Sequence, residues 1–387
     1  MIKKHHHKRV PKHSRRVKLA LCLLGLSLLI KPAIGSVSFD VTSAGIGARP
    51  MGMGQAYTAV VDDSNALFMN PAGLGLQKKW GVTTMTTKLL DRVDYKMLGG
   101  VYPTKFGTVG VGYLSASTPA GYLTTDKSSL DTAQPISYGT SLILLSYGRD
   151  LSEVISKSDS LGRLSFGLNL KMTSSRFEGT EGSGFGTAVD AGLLLKTNTP
   201  MSWGLNVQNI GGSMNWQDAA KETVPMTTKL GGAYNFDKGV AAVDVELGNG
   251  PALLHGGLEY RINDLLTLRG GIDQSAISKS ETAINFTGGV GIKVQGFSFD
   301  YAYRQDGGLA SNSTSYFSIS YQPPILNTNK PKVTEKAAPK TEATPKSEQA
   351  PKIDATPEKR DVEGMDGVYN PVQQSNPQPG NILSYYQ

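Results

Sequence analysis

Between residues 80 and 322 apolar and polar positions alternate with a period of two. In 240–247, Ala241, Val243, Val245 and Leu247 face one way, and Asp244 and Glu246 the other. In 254–262, Leu254, Leu258, Tyr260 and Ile262 oppose His255, Glu259 and Arg261. In 297–304, Phe297, Phe299, Tyr301 and Tyr303 oppose Ser298, Asp300 and Arg304. Alternation of this kind places one residue set on each face of a strand. It predicts fourteen strands: 80–90, 95–103, 108–117, 137–150, 164–176, 186–196, 201–213, 226–235, 240–247, 252–261, 265–273, 284–294, 297–304 and 315–322.

The connections divide into two sets when taken alternately. One set, including 118–136, 177–185 and 214–225, is mostly long; the other, including 104–107, 235–239 and 295–296, is mostly short. Segments 151–163 and 248–251 break the rule. Long loops at one end and short turns at the other are the habit of outer-membrane barrels. A soluble sandwich or propeller would alternate as well, but fourteen hairpin-linked strands leave edges that only closure removes. The expected fold is therefore all-β, a 14-stranded antiparallel transmembrane barrel. Trp80, Tyr113, Trp203, Trp216, Tyr316 and Tyr321 stand near strand ends and suit an interfacial girdle.

The two faces then have different solvents. Outward residues meet lipid, where charge is costly. The inward set carries Lys171, Asp190, Asp244, Glu246, Glu259, Arg261, Arg269, Asp273, Lys293, Asp300 and Arg304. Six acids against five bases suggest pairing across the lumen more than an ion-selective pore.

A barrel of fourteen strands is too wide for its own side chains to fill. The stretch 45–74 supplies a filler: it is too apolar for a linker and too broken by Gly and Pro for a long helix. Asn70-Pro71-Ala72-Gly73 combines an N-cap, a first-turn proline and a glycine that ends the turn. Residues 36–79 are expected to form a hatch inside the barrel.

Charge and composition refine both ends of the chain. Nine of the 39 Lys/Arg fall within residues 1–35, which hold no acid, leaving 30 against 32 Asp/Glu elsewhere. The basic excess thus belongs to the leader and makes no case for nucleic-acid binding. That leader has a basic start, an apolar run from 19 to 30, and small residues Ala33 and Gly35 before Ser36, the layout of a secretory signal peptide. The run is too short for a spanning helix. Cys22, the one cysteine, lies within it. At the other end, residues 323–387 carry eight Lys/Arg, eight Asp/Glu and prolines at 339, 345, 351 and 357. Such a segment reads as a disordered periplasmic tail with a possible periplasmic partner.

Gly47-Ala48-Arg49-Pro50-Met51-Gly52-Met53-Gly54, then Asp62-Asp63 and Asn70-Pro71-Ala72-Gly73-Leu74, resemble the N-terminal signature of PorV/PorQ-type proteins within the FadL-type outer-membrane transporter superfamily. On that resemblance Arg49, Gly52, Gly54, Asp62, Asp63, Asn70, Pro71, Ala72 and Gly73 belong to a hatch motif. The resemblance implies a location in the bacterial outer membrane, and either of two partners: a hydrophobic small-molecule ligand passing through the barrel, or secreted-protein cargo. The charged inward face departs from the transporter pattern, and the long tail departs from both the transporter and the PorV-type patterns.

Catalytic chemistry is poorly served. The sequence has no GxGxxG, GxSxG or HExxH motif, and beyond the leader His255 is the one histidine. Asp62-Asp63-Ser64-Asn65 lacks EF-hand spacing and reads as a capped turn. No enzyme, metal or cofactor is expected. A hydrophobic-molecule channel requires an apolar cavity near Asn70, with Leu, Phe or Met pointing inward from several strands.

Overall fold

The computed structural model describes residues 40–123, 134–152, 162–178, 182–217, 221–278, 280–308 and 313–324. The leader, the C-terminal tail and the middle of the 118–136 loop lie outside the described residues. The strands are β1 (Gly81–Leu89), β2 (Val93–Thr104), β3 (Gly107–Leu123), β4 (Gln134–Asp150), β5 (Arg163–Glu178), β6 (Ser183–Lys196), β7 (Met201–Trp216), β8 (Glu222–Thr223), β9 (Thr227–Phe236), β10 (Gly239–Leu247), β11 (Leu253–Arg261), β12 (Leu266–Ala276), β13 (Thr282–Val294), β14 (Phe297–Gln305) and β15 (Ser313–Tyr321).

Each strand pairs antiparallel with its sequence neighbours, β8 aside, and β1 pairs with β15, Val82 opposite Tyr321. The ring closes as the fourteen-stranded barrel that the alternation predicts. The two-residue β8, which the periodicity does not show, pairs only with β7 and lies outside the ring.

The outer face is apolar and open. Leu98, Val243, Phe286 and Phe317 are all more than half exposed, as are many neighbours of the same parity. A water-soluble protein would bury such a belt; a lipid-embedded barrel leaves it bare and satisfies every backbone group within the ring. The girdle expectation needs one correction. Tyr316 is 1 % exposed and points inward with Thr314 and Ser318, because Phe317 and Ile319 hold the outer parity of β15.

The barrel's hydrophobic core is its own N-terminal segment packed against the inner wall. Ile46, Met51, Met53, Tyr57, Leu67, Phe68 and Leu74 are fully buried. The segment contains two short helices, α1 (Ala48–Gly52) and α2 (Ala66–Met69), and two 3-10 turns, Val41–Ala44 and Pro71–Leu76. Helix α1 packs on β12–β15, and the turn after Asn70 packs on β3–β6. The segment thus crosses the lumen from one side to the other.

Candidate functional site

The plug is fastened to the wall by polar ties. Arg49, on α1, forks onto Glu259 of β11, Nε to Oε2 at 2.7 Å and Nη2 to Oε1 at 2.9 Å. Its Nη1 reaches Asp62 at 2.6 Å and Asp63 at 2.9 Å, and its guanidinium lies over the Tyr57 ring. Asp63 also accepts from the Tyr57 hydroxyl and from the Asn65 amide, which makes 62–65 a capped turn. A second tie is Asp244 of β10, whose Oδ2 accepts the backbone N–H of Tyr57 at 2.9 Å and of Thr58 at 2.8 Å. Charge-assisted bonds of this kind are the stronger class.

Asn70 is the third tie. Its Oδ1 accepts from Ala72 N–H and caps the turn Pro71–Leu76, while its Nδ2 donates to the carbonyls of Thr58 and Leu193. The turn does not end at Gly73, as the local signal predicts, but runs through it to Leu76; Gly73 is instead pressed against Ala66 and Val61. Pro71 and Ala72 lie directly on β5, whose Ser165 hydroxyl donates to the Ala72 carbonyl. Asn169 and Asn206 donate to the carbonyls of Leu67 and Met69, so wall amides satisfy the end of α2.

The inward charges pair along the wall rather than across the lumen. Lys229 meets its register partner Glu246 at 2.8 Å, and Arg269 meets Glu259 and Asp300, each at 2.7 Å. Lys171 meets Asp190 at 3.1 Å, and Arg304 meets Asp273 at 3.1 Å and also Asp306. The plug occupies the space that cross-lumen pairs would need. Asp244 takes no part in the Lys229–Glu246 pair; its Oδ2 accepts from the plug. Arg261 and Lys293 stand apart from these pairs. They line a cavity of about 310 Å³ at the end where the chain enters and leaves the barrel, together with Arg49, Asp62 and Asp63.

A second cavity, of about 420 Å³, opens at the long-loop end. Its apolar surface is Ile46, Phe68 and Met69 from the plug, Leu253 from β11, Ala276 from β12 and Pro225; its polar surface includes Asp40, Lys229, Glu246, His255, Asp273 and Arg304. Most of the large apolar side chains required of a hydrophobic-molecule channel therefore come from the plug, with Leu253 the one large apolar side chain from a strand.

A third cavity, about 1140 Å³, is a groove on the outer face, lined by Trp203, Leu205, Gly232, Tyr234, Val243, Gly256, Leu258, Gly270 and Ile272 among others. Behind it the wall is thin. A Cβ on inward-facing Gly204 or Gly231 would strike Thr58 or Ala59, and one on Gly257 or Gly271 would strike Met53. The plug backbone from Met53 to Ala59 thus rests on glycines on one side of the sheet, and Gly232, Gly256 and Gly270 line the groove on the other. Gly54 sits at φ +59° against the carbonyls of Ile272 and Gly256, and Gly52 lies against Gly289, so both hatch glycines allow close approach of backbone to wall.

Sequence reasoning did not find Asp40, Lys229, Asn209 or the exposed groove. Lys229 has a visible signal, its parity within an alternating strand. Asn209, at φ +60°, donates to Asp40 and accepts from Lys171 through a local break in the β6–β7 register that alternation does not encode.

These features define a plugged membrane barrel. No family model matches the chain, and no curated protein matches it. Solved structures similar to it include the Pseudomonas putida toluene transporter TodX, at 16% identity over 72% of this chain and 98% of that one, with a TM-score of 0.49. A deltaS2 mutant of the TodX monoaromatic hydrocarbon channel matches at 15% identity over 74% and 100%, with a TM-score of 0.48. A Pseudomonas aeruginosa FadL homologue matches at 12% identity over 75% and 99%, with a TM-score of 0.47.

Proposed function

We propose that the chain is an outer-membrane barrel of the FadL type through which small hydrophobic molecules pass, with residues 40–79 acting as its hatch. The observation that carries this reading is the glycine-thinned wall between the plug backbone at Met53–Ala59 and the apolar groove outside it. A molecule that displaces this part of the plug meets no side chain at the inward glycines, and only the hydrogen-bonded backbone of β7 and β9–β12, whose strands must part to let it through, separates it from the apolar groove bathed in lipid. The long-loop cavity, floored by Ile46, Phe68 and Met69, offers an entrance on the other side of the same plug. The polar ties at Arg49, Asp244 and Asn70 are discrete, so the plug can shift at one tie while the others hold. No feature of the described residues favours the secretion-accessory alternative.

The test is uptake of radiolabelled toluene into proteoliposomes holding the full chain. Filling the groove from outside with Gly270→Phe, at a position with open space beside it, is expected to slow uptake several-fold while the barrel stays folded. Uptake no faster than in protein-free liposomes would remove the proposal.

A further inference from the structure

The groove on the outer face has a definite depth in the membrane. On β7 and β9–β12 its farthest lining residues are Leu205, Leu230, Val245, Gly256 and Ile272, and none stands more than six residues from the short-turn end of its strand. Six residues at about 3.3 Å each, on a strand tilted by about 40°, reach roughly 15 Å along the membrane normal, half of a hydrocarbon core about 30 Å thick. The short turns of such barrels face the periplasm. The groove therefore opens into the periplasmic leaflet, where a bacterial outer membrane carries phospholipid rather than lipopolysaccharide.

Its chemistry changes along its length. No charged residue lines it. Trp203 and Tyr234 stand two residues inside the short-turn ends of β7 and β9, both about half exposed. Neither the indole N–H nor the phenol hydroxyl has a partner among the described residues. Amphipathic rings at this position mark the level of lipid headgroups. Just beyond them, the turns that join β9 to β10 and β11 to β12 carry Asp237, Lys238 and Asp264, all exposed and none in an ion pair among the described residues. The lip thus offers both signs of charge, with no surplus of cations. Around it the groove is continuous with the bare apolar belt that meets lipid.

We propose that this groove holds one zwitterionic diacyl phospholipid of the periplasmic leaflet. An acyl chain lies in the groove, and the phosphate and ammonium sit at the lip among Lys238, Asp237 and Asp264. Trp203 and Tyr234 donate to its phosphate and ester oxygens. A chain in a concave groove touches the wall on several sides, where one on a convex barrel touches it on one. The bound lipid therefore leaves more slowly than its neighbours. This goes beyond the channel reading and does not rest on it, since it needs only a barrel seated in lipid.

The test is native mass spectrometry of the full chain, extracted in a mild detergent and supplied with dioleoyl-phosphatidylethanolamine, dioleoyl-phosphatidylglycerol or lipid A. The native protein is expected to keep one phosphatidylethanolamine per barrel and to hold neither of the other two more tightly. Gly270→Phe, which fills the groove, should cut that retention about tenfold. Gly139→Phe, at a position of β4 outside the groove with open space beside it, should leave it unchanged. Trp203→Phe, which keeps a ring and loses the N–H, should lose part of it. Unchanged heat-modifiable gel mobility checks that each variant is folded. Equal retention by the native protein and Gly270→Phe, or a tighter hold on phosphatidylglycerol or lipid A, would overturn the assignment. A lipid-free native dimer that Gly270→Phe turns into a monomer would overturn it too, and would give the groove to a second copy of the chain.

Discussion

Arg49 and Glu259 meet in a two-point fork 210 residues apart in sequence, joining the plug to β11. The same guanidinium holds Asp62 and Asp63, and Glu259 is shared with Arg269. Removing the arginine leaves Glu259 with Arg269 alone and takes the cation from Asp63 and from the more exposed Asp62. Breaking such a pair from one side costs on the order of 3 kcal/mol. Arg49→Ala should loosen the plug and raise single-channel leak conductance in planar bilayers. Arg49→Lys, which keeps the charge but loses the fork, should fall between it and the native protein. Native-like conductance for Arg49→Ala would show that this tie does not hold the plug.

Asp244 provides a second, independent tie, because its carboxylate accepts two successive plug amides. Asp244→Ala leaves both amides without an acceptor and should cost about 2–3 kcal/mol locally. Hydrogen exchange should rise by one to two orders of magnitude at Tyr57 and Thr58 and stay unchanged in the barrel strands. Asn in its place keeps one accepting oxygen and should show a smaller rise.

Asn70 combines a cap with two tertiary donations. A cap alone is worth about 1 kcal/mol. The additional bonds to the Thr58 and Leu193 carbonyls raise the expected loss for Asn70→Ala to roughly 2–3 kcal/mol. Asn70→Asp preserves the accepting oxygen for Ala72 but turns its second oxygen, buried and charged, toward the Thr58 and Leu193 carbonyls, so at neutral pH its thermal midpoint should lie no higher than that of the alanine variant. A midpoint equal to the native value would assign all the stability to the cap.

Two glycines on the wall predict opposite outcomes for the same substitution. A methyl group on Gly167 of β5 would overlap the Pro71 carbonyl group, whereas Gly270 of β12 has nothing within 4 Å of where its Cβ would stand. Gly167→Ala should displace the turn Pro71–Leu76 and expose the plug to added protease. Gly270→Ala should leave protease resistance and heat-modifiable mobility as they are. Equal resistance in both would contradict the close packing of Pro71 on β5.

The barrel was legible because its two faces have different solvents, and alternation records that difference residue by residue. Even the misassigned Tyr316 was readable in principle. Phe317 and Ile319 set the outer parity of β15, and the aromatic side chain at 316 belongs to the other face. What alternation cannot record is the partner. Nothing in the run from Val240 to Leu247 distinguishes Glu246, which pairs with a wall lysine, from Asp244, which holds the plug, for both share one face and one charge. The inward glycines at 204, 231, 257 and 271 read as weak strand positions until the backbone against them is known.

The Ala48 N–H donates to Ser318 Oγ at 2.8 Å, across 270 residues of chain. The first described segment of the chain is thus completed by β15, the last of the described strands. Its seat does not exist until β15 has found β1, so the apolar stretch around Met51 and Phe68 must travel to the membrane without its final shelter. Maturation of this barrel is therefore bound to a late step, ring closure, and any delay there prolongs the time its most aggregation-prone residues need a chaperone.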